Sequence, residues 1–168
     1  MSRVRQAALG LAAVLAAAGT AVGAFIGSGI YNIGADDHHT RIVLALIERL
    51  RERSIAVRAR ALEVPDLADS GRIAAGARTY AALCVGCHLA PGVRHSDLRP
   101  GLYPHPPNLA QADPPDARRA FWVVKHGIKM SAMPAWGKTL DDAAIWDVVA
   151  FLQSMPLMTP EAYQALSQ

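Results

Sequence analysis

Residues 83–89 read LCVGCHL, and this stretch holds the only two cysteines of the chain, Cys84 and Cys87, with His88 directly after them. Two cysteines at this spacing occur in thiol–disulfide sites, in zinc sites and in sites of covalent haem attachment. A thiol–disulfide site needs a surrounding βαβ pattern, which this sequence lacks. A structural zinc usually needs four ligands from two such pairs, and the sequence has no second pair.

Covalent haem is the interpretation that remains. The thiols of Cys84 and Cys87 form thioethers to the haem, and the adjacent His88 coordinates the iron from the proximal side. The sequence therefore predicts one haem c, held by Cys84, Cys87 and His88, in a chain without catalytic residues. His95, His105 and His126 are expected to be solvated rather than iron ligands.

The N-terminal segment, residues 1–35, predicts a transmembrane anchor. Residues 7–35 carry no charge, and a bilayer core needs roughly 20 apolar residues of helix. A signal peptide cut near Ala24 is the alternative, but the apolar run continues past that point. Arg3 and Arg5 favour a cytoplasmic N-terminus, which sends the remainder outward, to the periplasm in a bacterium. Gly19, Gly23 and Gly27 share one helix face, which predicts docking to another transmembrane helix.

Residues 36–64 form a linker that concentrates basic charge. The interval from Thr40 to Arg60 has six arginines against two glutamates. Anionic headgroups next to a membrane attract such charge. The interval predicts an amphipathic helix ending before Pro65, and a stalk and a membrane-surface helix fit equally well. Its apolar positions are Val43, Leu46, Ile47, Leu50, Val57 and Ala61.

Residues 65–168 predict a small all-α domain of three to five helices with long loops, because apolar residues nowhere alternate long enough for a sheet. Residues that commonly start and end helices predict four of them. These run from Asp69 or Ser70 to about Leu83, from Pro115–Asp116 to Gly127, from a Thr139 cap to Ser154, and after Thr159–Pro160. We expect the first and third to cross at Gly76, against the apolar positions Ile145, Val148, Val149 and Leu152. Phe121, Trp122, Trp146, Met155 and Met158 are expected to be packing residues.

The motifs along this domain resemble those of the class I c-type cytochromes. They are most similar to membrane-anchored monohaem cytochromes and to the cytochrome c domains of bacterial haem–copper oxidases. The resemblance covers about residues 70–156 and rests on Gly76-x₃-Tyr80-x₃-Cys84-x₂-Cys87-His88, on Pro107-Asn108-Leu109, on Met133-Pro134, and on Ile145-Trp146 with Phe151-Leu152.

The resemblance implies two contacts of the iron site. Met133 stands where the family has its distal axial ligand, and a thioether ligand raises the reduction potential. Met130 is the competing sulfur and is expected in the wall of the haem pocket. The carbonyl of Pro107 is implied to accept the free His88 proton. However, an insertion relative to the family at residues 96–105 precedes Pro107, so the carbonyl of Pro91 is the alternative acceptor for His88.

The predicted function is transfer of single electrons by a membrane-anchored monohaem cytochrome, not an enzyme. The partners implied are redox proteins of a respiratory chain: a quinol-oxidising complex, a dehydrogenase or a terminal oxidase. The alternative is a peroxidase or gas-binding haem protein in which the Met ligand is displaced. Residues 117–140 carry five basic and no acidic side chains, which predicts a positive rim that steers acidic partners. No pattern of a nucleic-acid-binding module is present.

Overall fold

The computed structural model describes residues 2–168, and between these residues every regular element is helical. The predicted all-α class is therefore confirmed. Three short 3₁₀ turns accompany the α-helices, at Arg99–Gly101, Trp136–Lys138 and Met155–Leu157. The α-helices are α1 Arg3–Ser28, α2 Arg41–Ala59, α3 Ser70–Leu83, α4 Val85–His88, α5 Ala117–His126, α6 Asp142–Ser154 and α7 Pro160–Leu166.

A first compact unit ends at Asp37 and contains α1. This helix has 26 residues and a mean hydropathy of 2.1 over its most apolar window. It is the one helix among residues 2–168 that is long and apolar enough to cross a membrane. It ends at Ser28 because Gly29 adopts a left-handed conformation, with φ +63°. The uncharged residues from Ile30 to Ala35 lie outside the helix.

The second unit runs from His38 to Gln168, and the crossing of α3 and α6 forms its centre. Gly76 of α3 lies directly against the backbone of α6, as the sequence predicts. A Cβ atom at Gly76 would lie 1.9 Å from the carbonyl oxygen of Asp147. The predicted apolar face of α6 is buried, and so are Ala150 and Phe151, so this helix is enclosed on several sides.

A second cluster joins α5 to α6. Phe121 stacks on Trp146 with the ring centroids 4.2 Å apart. Helix α2 packs on the outer side of α5, where Ile55 and Ala59 are buried. Glu52 of α2 also forms an ion pair with Arg119 of α5. The linker helix is therefore attached to the helical domain along one of its faces.

The sequence predicts caps for two helices, and the one for α3 is confirmed, with Asp69 rather than Ser70 as the cap. Asp69, Asp116 and Thr159 cap α3, α5 and α7 with side-chain oxygens. The prediction for α6 is wrong, because its cap is Asp141, whose carboxylate accepts a hydrogen bond from the Ala144 amide at 2.8 Å. Thr139 instead donates to the Trp136 carbonyl, since a 3₁₀ turn occupies residues 136–138 and delays the helix.

Candidate functional site

Within the CVGCH motif, Cys84 is the cap residue between α3 and α4, and the last four residues form α4, a single helical turn. The next residue, Leu89, reverses the chain with φ +59°. Its carbonyl accepts a 2.7 Å hydrogen bond from the hydroxyl of Tyr80, inside the core. Tyr80 thus joins the core helix α3 to the end of the motif, which is a structural reason for the Tyr at this spacing.

Tyr80→Phe is expected to lower the free energy of unfolding by about 1–2 kcal/mol, because it leaves the buried Leu89 carbonyl without its donor. Tyr163→Phe is the matched control in the same cluster, since no hydrogen bond to the Tyr163 hydroxyl is present within residues 2–168. Urea unfolding followed by circular dichroism measures both. Equal values for the two variants would contradict the importance of the Tyr80 bond.

The ring of His88 is oriented by a backbone carbonyl. Its Nδ1 lies 3.0 Å from the carbonyl oxygen of Pro107, which settles the choice between Pro107 and Pro91 in favour of Pro107. A carbonyl can only accept, so Nδ1 carries the proton and Nε2 keeps its lone pair for a metal. Burial lowers the pKa of His88, the Pro107 bond opposes that shift, and the charge of Arg99 adds to it. The neutral imidazole is the form that binds metals.

The insertion at residues 96–105 does not displace Pro107, because it folds back onto α4. Ser96 donates to the Gly86 carbonyl, and Arg99 donates to the Cys87 carbonyl. The Arg99 guanidinium also lies 3.0 Å from the ring of His105. Sequence reasoning missed Arg99, and only its position inside an insertion next to the motif could have drawn attention to it.

The positive charge of Arg99 acts on His88 and favours the reduced state of a bound haem. Arg99→Gln removes this charge, so we expect it to lower the reduction potential by tens of millivolts. Arg94→Gln removes an exposed charge nearby and serves as the control. Potentiometric titration of the purified holoprotein measures the shift. An unchanged potential in Arg99→Gln, or an equal shift in Arg94→Gln, would show that the charge at Arg99 does not act on the iron site.

Cys84 and Cys87 form no disulfide, so both sulfurs are available for covalent attachment. They are half-buried on one helical turn. Burial raises the pKa of the Cys84 thiol to about 12, with a smaller contribution from Cys87, so this thiol is protonated at neutral pH. Two thiols and an oriented imidazole on one turn fit covalently attached haem. In residues 2–168 no cluster of acidic, His and Cys side chains offers a rival metal site.

Met133 is held in a loop by bonds on both sides of its backbone. Its carbonyl accepts from the Ile128 amide at 3.1 Å, and its amide donates to the hydroxyl of Ser131 at 3.2 Å. The Ser131 hydroxyl in turn donates to the Ile128 carbonyl at 2.7 Å. Gly127 closes the loop with φ +66°, and a Cβ there would lie 2.7 Å from the Met133 carbonyl oxygen. These contacts hold the Met133 backbone in one position within the loop.

The environments of the two candidate sulfurs differ. Met133 is half-buried and packs against the buried side chains of α5 and α6 around Phe121, Ile145 and Val149, here called the Phe121 cluster. Met130 is 80% exposed and has φ +58°. The structure thus brings the Met133 side chain to the domain core and leaves Met130 outside it. His95, His105 and His126 are exposed, as expected from the sequence.

Three of the five basic side chains in the interval 117–140 bind groups of the chain itself. Arg118 donates to the Leu62 carbonyl at 2.9 Å, Arg119 pairs with Glu52, and Lys125 pairs with Asp142. The exposed Lys129 and Lys138 remain for a positive rim beside the Met133 loop. The predicted charged surface is therefore smaller than the sequence suggests.

Comparison with known families gives one match. Residues 71–152 match the family described as Cytochrome C oxidase, cbb3-type, subunit III. The match begins in α3 and ends in α6, so it includes the CVGCH turn, the insertion and the Met133 loop. No curated protein and no solved structure matches the chain.

Proposed function

Since residues 71–152 are a class I c-type cytochrome domain, we propose that the chain is a membrane-anchored monohaem cytochrome that carries single electrons between membrane and periplasmic redox proteins. The observation that carries this proposal is the 3.0 Å contact of His88 Nδ1 with the Pro107 carbonyl, which prepares Nε2 for iron. The bound haem supplies the one-electron couple. The chain's own residues set its attachment, its axial ligands and its exposure.

In this proposal each residue of the site has one role. Cys84 and Cys87 would hold the haem through two thioethers, and His88 and Met133 would supply the proximal and distal ligands of its iron. The carbonyl bond on His88 and the two backbone bonds on Met133 hold both ligands in place. Ligands that move little between oxidation states keep electron transfer fast, and thioether ligation favours the reduced state.

The membrane part of the proposal rests on α1. Residues 1–35 form a single-pass anchor in the inner membrane with the N-terminus in the cytoplasm, residues 36–64 the linker, and residues 65–168 a periplasmic haem domain. Gly19, Gly23 and Gly27 have open space above their Cα atoms and recur every four residues, so another transmembrane helix can approach that face closely. The partners proposed are a quinol-oxidising complex, a dehydrogenase or a terminal oxidase.

An optical spectrum of the membrane fraction tests this function. We expect the narrow bands of a low-spin c-type haem after reduction, located in the membrane fraction. The double variant Cys84→Ser/Cys87→Ser should lose all covalently bound haem, because serine forms no thioether. Denaturing electrophoresis with haem staining and the intact mass of the protein measure attachment. A colourless protein whose mass matches the bare polypeptide, after maturation in a competent host, would overturn the proposal.

A further inference from the structure

Helix α2 carries a row of large aliphatic side chains on the protein surface. Ile42, Leu46 and Leu50 are 75%, 66% and 72% exposed, and Val57 extends the row towards the end of the helix. Residues four apart lie next to each other on a helix, so Ile42, Leu46 and Leu50 form one strip, and Val57 lies two turns further along the same side. These four side chains are here called the outer stripe. Contiguous exposed apolar surface of this kind marks an interaction site.

The outer stripe cannot turn inward, because the opposite face of α2 is attached to the helical domain. Ile55 and Ala59 are buried there, and Glu52 pairs with Arg119. Just beyond the helix, the Leu62 carbonyl accepts from Arg118. Before the helix, His38 stacks on Tyr103 of the insertion at 4.5 Å. Contacts at both ends and along the middle therefore fix which face of α2 points outward.

Basic side chains accompany the outer stripe. Arg49 and Arg53 follow Ile42 and Leu46 by two helical turns and so lie on the same side of α2. Both are exposed. Of the two glutamates in the interval 40–60, Glu52 is engaged with Arg51 and Arg119. An aliphatic row bordered by arginines is the pattern of a helix that lies in a membrane interface and attracts anionic headgroups.

The short segment between α1 and α2 limits how far the outer stripe can lie from a membrane that α1 crosses. Twelve residues, 29–40, separate the end of α1 from the start of α2. At full extension they span at most about 40 Å. If α1 crosses the bilayer, α2 begins within that distance of its surface.

We propose that the outer stripe binds the anionic lipid surface of the membrane that α1 crosses. Its aliphatic side chains enter the interface, while Arg49 and Arg53 contact headgroup phosphates. Since the other face of α2 is attached to α5, this contact also fixes which side of the haem domain faces the membrane. The inference rests on the proposed anchor but not on the identity of the iron ligands.

The test uses the full-length holoprotein in lipid nanodiscs, with a nitroxide label on Leu46→Cys. The control carries the label on Leu157→Cys, a position that is 90% exposed on the same domain. Relaxation by oxygen, which enters lipid, is compared with relaxation by a water-soluble nickel complex. In discs containing phosphatidylglycerol we expect the oxygen-to-nickel ratio at position 46 to exceed that at 157 at least about twofold. In phosphatidylcholine discs, or with Arg49→Gln/Arg53→Gln, the ratios should converge.

Each other outcome overturns the inference in a distinguishable way. Equal ratios at positions 46 and 157 in anionic discs would show that the outer stripe stays in water although the protein is anchored. Protection of position 46 in native membranes but not in lipid alone would assign the stripe to a protein partner. Recovery of the protein in the soluble fraction would overturn the anchor itself, and the lipid contact with it.

Discussion

Gly76→Ala is expected to destabilise the haem domain by about 3 kcal/mol or more, in the range of the most severe core substitutions. The added methyl group would lie 1.9 Å from the Asp147 carbonyl oxygen, 2.5 Å from its carbon and 3.0 Å from Cβ of Phe151. Two of these three atoms belong to the backbone of α6, which no rotamer change can move. The helices would have to separate by more than an ångström, and the core side chains between them would lose contact.

Gly71→Ala is the matched control in the same helix. Gly76→Ala gains up to about 1 kcal/mol of helix propensity in the helix interior, and Gly71→Ala, in the first turn of the same helix, gains less. At Gly71 the new methyl group meets only the Asp69 carboxylate, at 3.2 Å. We expect this variant to stay within about 1 kcal/mol of the parent protein. Thermal and urea unfolding followed at 222 nm measure both variants, and a small effect of Gly76→Ala would contradict the close crossing of α3 and α6.

This crossing was predictable from the sequence because its causes are local. Gly76 and Tyr80 lie on one face of a helix whose cap, Asp69, is also visible in the sequence. The apolar positions from Ile145 to Leu152 recur at helical spacing. Two helices have few ways to pack when one carries a glycine and the other an apolar face. The partner of Gly76 is therefore determined by residue types that the sequence displays.

The loop between α4 and α5 was not predictable in the same way. Its proline-rich sequence predicts an irregular segment but not its direction. The bonds from Ser96 and Arg99 to backbone carbonyls of the CVGCH turn depend on the path of the chain, which no periodic pattern records. For the same reason the sequence could not choose between Pro107 and Pro91 as the partner of His88. A carbonyl is present at every residue, so only the fold identifies the one that accepts.

Which face of α2 is buried could not be predicted from the spacing of its apolar residues. The sequence displays one amphipathic helix, and periodicity alone leaves its environment open. Ile55 and Ala59 are buried against α5, whereas Leu46 and Leu50 of equal apolarity are exposed. The buried face is the one that packs on α5, and α5 also supplies Arg119, which pairs with Glu52 from a position sixty-seven residues away in the sequence. Ion pairs at that separation leave no trace in local composition.

Met133→Ala is expected to lower the reduction potential on the order of 0.2 V, within the roughly 0.8 V that axial ligands span. Removal of the thioether takes away the ligand that favours the reduced state. It also opens the distal side of the iron, so the reduced protein should bind carbon monoxide rapidly. Redox titration and the optical spectrum with and without carbon monoxide measure these changes.

Met130→Ala is the matched control, because it removes the same side chain three residues earlier. Met130 is 80% exposed, whereas Met133 is half-buried and packs against the Phe121 cluster. We expect it to leave the potential and the carbon monoxide response unchanged. The Ser131 hydroxyl and the Gly127 turn hold the Met133 backbone in both variants, so a difference between them reports the sulfur rather than the loop. If Met130→Ala opens the iron and Met133→Ala does not, the loop rearranges on haem binding and the assignment of the distal ligand is wrong.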